Sequence, residues 1–228
     1  NILKKKREMI YLLITGILIF TNWSTWIYAV VTNKIIDASF GYFIMPIISI
    51  FLGFFFFKEK LSIKGKISIS IVISAILFLV ISDHQSLPWV GLIVALSWSF
   101  YNLLRKKINV ETDIGLLIES LFILPIIGVI LYYVITTNNN DFVIHNLSLA
   151  SLIMLAGPMT LIPLFLYVKG VELAGLGPSG MIFFIVPTGQ FLLGFFYFNE
   201  PFSTDKFISF IFIWIAVLIY LRDLYENN

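Results

Sequence analysis

Glu119 is the residue of this sequence whose type and surroundings suggest chemistry most directly. It is an acid inside the apolar stretch LLIESLFILP, which covers residues 116–125. An acid at the centre of a membrane span costs about 2.5 to 3.5 kcal/mol, so it usually faces a cavity or a partner. Glu119 is therefore a candidate binding site for a substrate amine or a proton. The alternatives are a structural hydrogen bond to a neighbouring helix and a side chain that reaches the membrane surface.

The first apolar stretch places an amide beside two tryptophans. Asn22 and Trp26 are four residues apart and would share one helical face, with Trp23 next to them. Tryptophan normally collects at the membrane interfaces, whereas these residues lie in the middle of their stretch. We therefore predict that all three line a substrate cavity. Helix packing through an interhelical hydrogen bond is the alternative.

The fourth apolar stretch carries a stripe of polar and aromatic side chains. Its members recur at spacings of three and four and are Trp98, Tyr101, Asn102 and Arg105. Such a stripe could bind a cation or an aromatic solute, so Trp98 and Tyr101 are predicted to bind substrate. Arg105 opens a basic run, and an ordinary interfacial anchor is the alternative for that end of the stripe.

Four of the prolines inside the apolar stretches indicate hinges or helix breaks. They are Pro46, Pro158, Pro163 and Pro187. Each removes a backbone donor and frees a carbonyl, and broken helices in matched positions mark the binding sites of transporters. Nearby polar side chains are further candidates for substrate binding: Tyr42, Thr160, Tyr167 and Gln190. Prolines that only kink a membrane helix are the alternative.

The composition places these residues in a membrane protein. Hydrophobic residues make up 59% of the chain and charged residues 12%, unlike soluble domains. The continuous apolar runs predict eight helical spans, at 9–32, 38–57, 67–81, 87–104, 114–134, 147–168, 175–198 and 207–221. There is no cysteine, and His84 and His145 fall in expected loops, so no metal site is predicted. A net charge of +2 does not indicate a nucleic-acid partner.

The chain also repeats itself at a spacing of 141 residues, since residues 37–62 match residues 178–203 without a gap. The identical pairs are Phe43/Phe184, Ile44/Ile185, Pro46/Pro187, Leu52/Leu193, Gly53/Gly194, Phe54/Phe195, Phe55/Phe196, Phe57/Phe198, Glu59/Glu200 and Ser62/Ser203. The match continues with Ile67/Ile208, Ser68/Ser209, Ala75/Ala216 and Leu77/Leu218. Duplicated groups of helices are typical of secondary transporters, which bind substrate between two related halves.

Lysine and arginine indicate the orientation of the spans. One side of the membrane would receive thirteen of them, and the other only Lys34 and Lys206. Short cytoplasmic loops hold the excess of positive charge, so both termini are predicted to be cytoplasmic. The second and seventh spans match each other and are five helices apart, so the two copies would cross the membrane in opposite directions.

We therefore predict an all-α polytopic membrane protein built as an inverted repeat of five-helix units. Residues 1–86 would hold the last three helices of the first repeat, and residues 87–228 all five helices of the second. On this interpretation eight of ten transmembrane helices are present, and the two N-terminal helices are missing. A natural eight-helix protein is the alternative.

The chain resembles EamA-type permeases of the drug/metabolite transporter superfamily over essentially its whole length. The stretches that carry the resemblance are NW at 22–23, WIYAV at 26–30, ASFGYFIMP at 38–46, FYNLLRKK at 100–107, LLIESLFILP at 116–125 and FIWIAVLIY at 212–220. The resemblance implies two inverted five-helix repeats, and export coupled to a gradient. Many members carry Gly-Glu at the end of the matched helix, where this chain has Lys58-Glu59 and Asn199-Glu200.

The predicted function is a secondary carrier for a small organic metabolite such as an amino acid, or for a drug, across the bacterial inner membrane. Substrate would bind near mid-membrane, and the halves would open alternately to either side. No P-loop, HExxH or Ser-His-Asp set is visible, so neither enzymatic activity nor a cofactor is expected. The partners would be a small-molecule substrate and the lipid bilayer, with the protein a monomer or homodimer. A passive channel, an intramembrane enzyme and an intramembrane structural protein are the alternatives.

Overall fold

The computed structural model describes residues 6–58, 62–82, 88–108, 110–137, 147–174 and 185–227. They form eight helices: α1 (Lys6–Val31), α2 (Ile35–Phe57), α3 (Ile63–Ser82), α4 (Trp89–Lys107), α5 (Thr112–Thr136), α6 (Leu147–Ala174), α7 and α8 (Thr204–Asn227). Helix α7 begins as the α-helix Ile185–Leu192 and continues as the π-helical segment Leu193–Tyr197. The predicted all-α fold is confirmed, and each predicted span overlaps one helix. Residues 175–184 of the seventh span, His84 and His145 lie outside the described residues.

Four of the helices are long and apolar enough to cross a membrane, judged by length and composition: Lys6–Val31, Ile35–Phe56, Asp113–Thr136 and Thr204–Asp223. A shorter apolar stretch covers Leu147–Thr160. Helices α3 and α8 extend beyond their predicted bounds into polar flanks and reach 20 and 24 residues. That length matches the roughly 20 residues that a hydrocarbon core requires.

Helix α2 lies at the centre of the bundle and packs against α1, α3, α4, α7 and α8. Its buried Phe40 and Phe43 share a core with Phe191 of α7 and Phe210 of α8. The Phe210 ring meets the Phe40 and Phe43 rings edge-on, at centroid distances of 5.6 and 6.1 Å, a preferred aromatic geometry. Lipid tails are as apolar as these side chains, so close packing rather than transfer from water holds the helices together.

The crossing of α2 and α4 depends on two glycines. A Cβ atom at Gly91 would collide with the carbonyl oxygen of Asp37, and one at Gly41 with the carbonyl group of Gly91. Both obstacles are backbone atoms, which cannot rotate away as a flexible side chain can. Small residues let helix backbones approach closely in a membrane, so this pair determines the distance between α2 and α4.

The two copies of the repeat, which are spaced 141 residues apart, share local structure. Lys58 and Asn199 are matched positions, and both lie just after a helix with backbone in the left-handed region, with φ of 54° and 50°. Ser62 and Ser203 are also matched, and each accepts a hydrogen bond from the N–H group three residues later, at 2.8 and 3.2 Å. Each serine thereby caps the N-terminus of the following helix, α3 or α8.

The matched helices α3 and α8 pack against each other and run antiparallel. At one end, Ser62 and Lys64 from the start of α3 contact Asp223 and Glu226 from the end of α8. Matched residues on the two helices are buried: Ser68 and Ser209, Val72 and Ile213, Ala75 and Ala216. This opposite direction is what an inverted repeat requires. The division into residues 1–86 and 87–228 stays a prediction.

Charged residues collect at the two ends of the bundle as the loop analysis expected. Lys206 pairs with Asp37 (Nζ to Oδ1, 2.9 Å), which places it at the same end as Lys34, before the first turn of α2. At the opposite end, hydrogen bonds from Lys64 and Arg222 hold the pKa of Glu226 below its usual range. Which end faces the cytoplasm stays a prediction.

Glu200 caps the N-terminus of α2 from the segment that follows α7. Its Oε1 accepts a hydrogen bond from the Ile35 N–H group at 2.6 Å, and its Oε2 accepts one from Ile36 at 2.8 Å. A carboxylate is favourable there because the first N–H groups of a helix lack partners and carry partial positive charge. Gly194 allows the approach, since a Cβ atom there would lie 2.8 Å from the Ile36 side chain.

Glu200→Ala is expected to lower the free energy of unfolding by about 1 to 2 kcal/mol, because two buried N–H groups lose their acceptor. Thermal unfolding in detergent would measure the loss. Glu226→Ala is a suitable control, since it removes an acid whose ion pairs are exposed, and it should leave the midpoint unchanged. Equal effects of the two substitutions would contradict a stabilising role of the Glu200 cap.

Candidate functional site

Glu119 lies in the second turn of α5 and is 2% exposed. Thr15 of α1 donates a hydrogen bond to its Oε1 at 2.7 Å, and Tyr101 of α4 donates one to its Oε2 at 3.3 Å. Arg105 of α4 places Nη1 3.5 Å from Oε1. Three helices thus meet at one carboxyl group, and both of its oxygens have partners.

Two glycines make this meeting possible. Gly16 of α1 faces α5 closely, since a Cβ atom at Gly16 would lie 3.2 Å from the Glu119 carbonyl oxygen. A Cβ atom at Gly115, one turn before Glu119, would collide with the Arg105 guanidinium. Glycine at position 115 therefore leaves the space in which Arg105 reaches the carboxylate.

A second polar contact lies further along the same helices. The Asn22 side chain is 1% exposed and donates to the Val94 carbonyl oxygen at 3.0 Å and to Ser97 Oγ at 3.1 Å. Its Oδ1 accepts from the Tyr42 hydroxyl group at 3.0 Å. Thr15 and Asn22 are seven residues apart, about 10 Å along α1. We call this set the polar seam: Thr15, Asn22, Tyr42, Ser97, Tyr101, Arg105 and Glu119.

The structure divides the predicted aromatic residues between the seam and the protein surface. Trp26 packs edge-on against Tyr42 (6.1 Å between centroids), and Trp98 lies beside Tyr101 (5.5 Å). Trp23 is 38% exposed. It lies away from the Asn22 contacts, because one residue along a helix turns the side chain by about 100°. A role of Trp23 in substrate binding stays a prediction.

The geometry of Asn22 favours the alternative of helix packing. Its amide hydrogens and its oxygen all have partners on α2 and α4. A buried amide needs such partners whether or not a substrate exists. A role of Asn22, Trp26, Tyr42, Trp98 or Tyr101 in substrate binding stays a prediction.

The predicted helix breaks need a correction. Helix α2 continues through Pro46, and α6 continues through Pro158 and Pro163, so these prolines end no helix. Membrane helices tolerate proline because neighbours and local adjustments satisfy the freed carbonyl groups. Pro187 is buried at the third residue of the described part of α7. A hinge role of the four prolines stays a prediction.

The remaining predicted residues lie apart from the seam. The Thr160 hydroxyl donates to Ala156 of its own helix at 2.8 Å, and the described residues show no packing of α6 against another helix. The placement of the Tyr167 side chain lies outside what the structure describes. Gln190 lies on α7, and its buried Oε1 accepts no hydrogen bond from the described residues.

Thr15, Ser97, Gly16 and Gly115 were not predicted as site residues from the sequence. Thr15 carries a recognisable signal, because a polar residue seven positions before Asn22 shares its helical face. In the described ranges no three His, Cys, Asp or Glu side chains group as metal ligands would. The arrangement can hold a buried charge and its counter-ion between helices that belong to different predicted repeats.

Comparison with known proteins gives a consistent set of relatives. The EamA-like transporter family model matches residues 1–81. Protein RarD of Salmonella typhi is 33% identical over 223 residues, which cover 98% of this chain and 76% of that protein. The uncharacterized transporter YojE of Bacillus subtilis is 34% identical over 221 residues, 96% of this chain and 72% of that protein. The chloramphenicol-sensitive protein RarD of Pseudomonas aeruginosa is 24% identical over 211 residues, with coverage of 90% and 68%. No solved structure matches the chain.

Proposed function

Since this chain belongs to the EamA-like transporter family and is a membrane transporter, we propose that it is a secondary carrier. It would move a small organic metabolite such as an amino acid, or a drug, across the bacterial inner membrane by alternating access. Both termini would lie in the cytoplasm, and the protein would act as a monomer or homodimer without a cofactor. Relatives that are transporters imply that this protein is not an enzyme.

The antiparallel packing of α3 against α8 is the observation that carries this proposal. The two helices match in sequence at the 141-residue spacing, yet they run in opposite directions. Carriers with inverted repeats expose one site to either side by exchanging the conformations of their two halves. The polar seam supports the proposal, because a buried acid in a membrane span is costly and usually has a function.

Counterflow in proteoliposomes tests the carrier directly. Vesicles that contain the protein are loaded with a metabolite extract, and mass spectrometry then follows which compounds exchange with isotope-labelled copies outside. Saturable exchange, stimulated by the unlabelled compound on the opposite side and independent of ATP, is expected. Protein-free vesicles are the control. Chloramphenicol belongs among the probes, since the name of one relative refers to sensitivity to it.

A passive channel is the competing function. Flux through a channel would rise without saturation and would show unitary currents in planar bilayers for charged solutes. The seam argues against an open path, because its described polar groups are hydrogen-bonded across helix interfaces. Unitary currents together with non-saturating flux would show that the protein is a channel and not a carrier.

A further inference from the structure

We propose that the coupling ion of this transporter is a proton held by Glu119, and that Thr15 lets the buried carboxyl group exist in both protonation states. The inference rests on the proposed carrier function, which left open whether Glu119 serves a proton or a substrate amine. It names a role for Thr15 that neither the sequence patterns nor the relatives assign.

The first step is the enclosure of Glu119. The residue is 2% exposed, and Thr15 and Tyr101 already contact its two carboxylate oxygens. The backbone of α1 closes over it at Gly16, where even a Cβ atom would lie 3.2 Å from the Glu119 carbonyl oxygen. A substrate ammonium group would have to displace these contacts and separate α1 from α5. A proton binds to a carboxylate oxygen in place and needs no additional room.

The second step is the position of the Thr15 hydroxyl group. Its Oγ1 lies 2.7 Å from Glu119 Oε1, 3.0 Å from the Tyr11 carbonyl oxygen and 3.1 Å from the Leu12 carbonyl oxygen. A hydroxyl group has one hydrogen and two acceptor sites, so it can satisfy only one of these acceptors at a time. When Glu119 is ionised, Thr15 donates its hydrogen to the carboxylate. When Glu119 is protonated, the acid donates to Thr15 Oγ1, and the Thr15 hydrogen turns to the Tyr11 carbonyl oxygen.

The third step concerns the charged and titratable groups around the carboxyl. From α4, Arg105 approaches at 3.5 Å and Tyr101 at 3.3 Å. From α1, Glu8 lies seven residues before Thr15 on the same helical face, and its Oε2 is buried. On α5 itself, the exposed Asp113 carboxylate accepts from the Ile114 N–H group. Arg105 favours the ionised carboxyl, so proton binding ends that attraction and weakens the connection of α4 to α5. This links proton binding to helix movement.

Infrared difference spectroscopy of the reconstituted protein between high and low pH tests the proposal without any transport measurement. Among the carbonyl bands of its protonated acids, the wild-type protein should show one that disappears in Glu119→Gln. In Thr15→Val this band should titrate about one pH unit or more higher, because the charged form loses a stronger hydrogen bond than the protonated form does. Thr15→Ser should titrate as the wild type does. Thr25→Val is the matched control, since the buried Thr25 hydroxyl donates only to its own helix, at Thr21.

Three results would overturn parts of the proposal. If Glu119→Gln lost no carbonyl band, Glu119 would not carry the proton, and Glu8→Gln would then test the next acid on this face. A titration unchanged in Thr15→Val, or in Thr15→Cys if the valine variant does not fold, would remove Thr15 from the mechanism. Saturable transport in Glu119→Gln with its pH dependence intact would remove proton coupling at this site. A titrating band in a protein without counterflow would refute the carrier function and leave the proton site standing.

Discussion

Arg105→Met should destabilise the protein by about 3 to 5 kcal/mol near neutral pH, because it leaves the Glu119 carboxylate buried without its counter-ion. Nη1 of Arg105 lies 3.5 Å from Oε1, and the two side chains are 14% and 2% exposed. Water therefore screens the pair far less than it screens a surface ion pair. The loss should shrink as the pH falls, since a protonated Glu119 needs no counter-ion. Thermal unfolding in detergent over a series of pH values would measure both effects.

Two variants separate the ion pair from the other contacts of Arg105. Lys106→Met removes a neighbouring exposed positive charge from the same helix and should change the unfolding midpoint little. The double variant Arg105→Met/Glu119→Gln leaves no uncompensated charge and should recover most of the stability, as is typical when both partners of a buried pair are replaced. If Arg105→Met were no less stable than Lys106→Met, the pair would not hold α4 to α5.

Gly91→Ala is expected to cost about 3 kcal/mol, the upper end of the usual range for overpacking. The new Cβ atom would collide with the carbonyl oxygen of Asp37, and only a separation of α4 from α2 relieves that collision. Because α2 contacts five other helices, a shift at this crossing should also impair transport. Thermal unfolding and counterflow would measure the two consequences.

Gly128→Ala on α5 is the matched control for this experiment. Nothing lies within 4 Å of a Cβ atom at Gly128 in the described structure, so alanine should be neutral or stabilise the helix by about 0.5 to 1 kcal/mol. If Gly91→Ala behaved as Gly128→Ala does, the close approach of α2 and α4 would not depend on the glycine pair.

The helices and the family were predictable because both depend on local or linear information. An apolar run long enough to cross a bilayer must be helical, since lipid offers no partner to backbone groups. The resemblance to EamA-type permeases was carried by short stretches of sequence, and the relatives confirm it. Helix ends were less predictable, because α3 and α8 continue into polar residues that carry no apolar signal.

The candidate site was only partly predictable. Glu119 was recognisable because an acid is conspicuous in an apolar run. Its donor Thr15 lies 104 residues away in the chain, and nothing in a local pattern joins the two. Conversely, residues that are adjacent in sequence can lie in different surroundings, as Asn22 and Trp23 do. The first is buried between helices and the second is exposed.

The sequence by itself determined that this is an all-α membrane protein of the EamA-like transporter family with a 141-residue repeat. Composition, apolar length and the order of residues carry that information, and none of them requires knowledge of which helices touch. Only the tertiary structure decided that Thr15, Tyr101 and Arg105 converge on Glu119, and that the matched helices α3 and α8 pack against each other. The physical reason is that buried polar groups find partners across helix interfaces. Those interfaces depend on backbone approach at residues such as Gly16, Gly41 and Gly91.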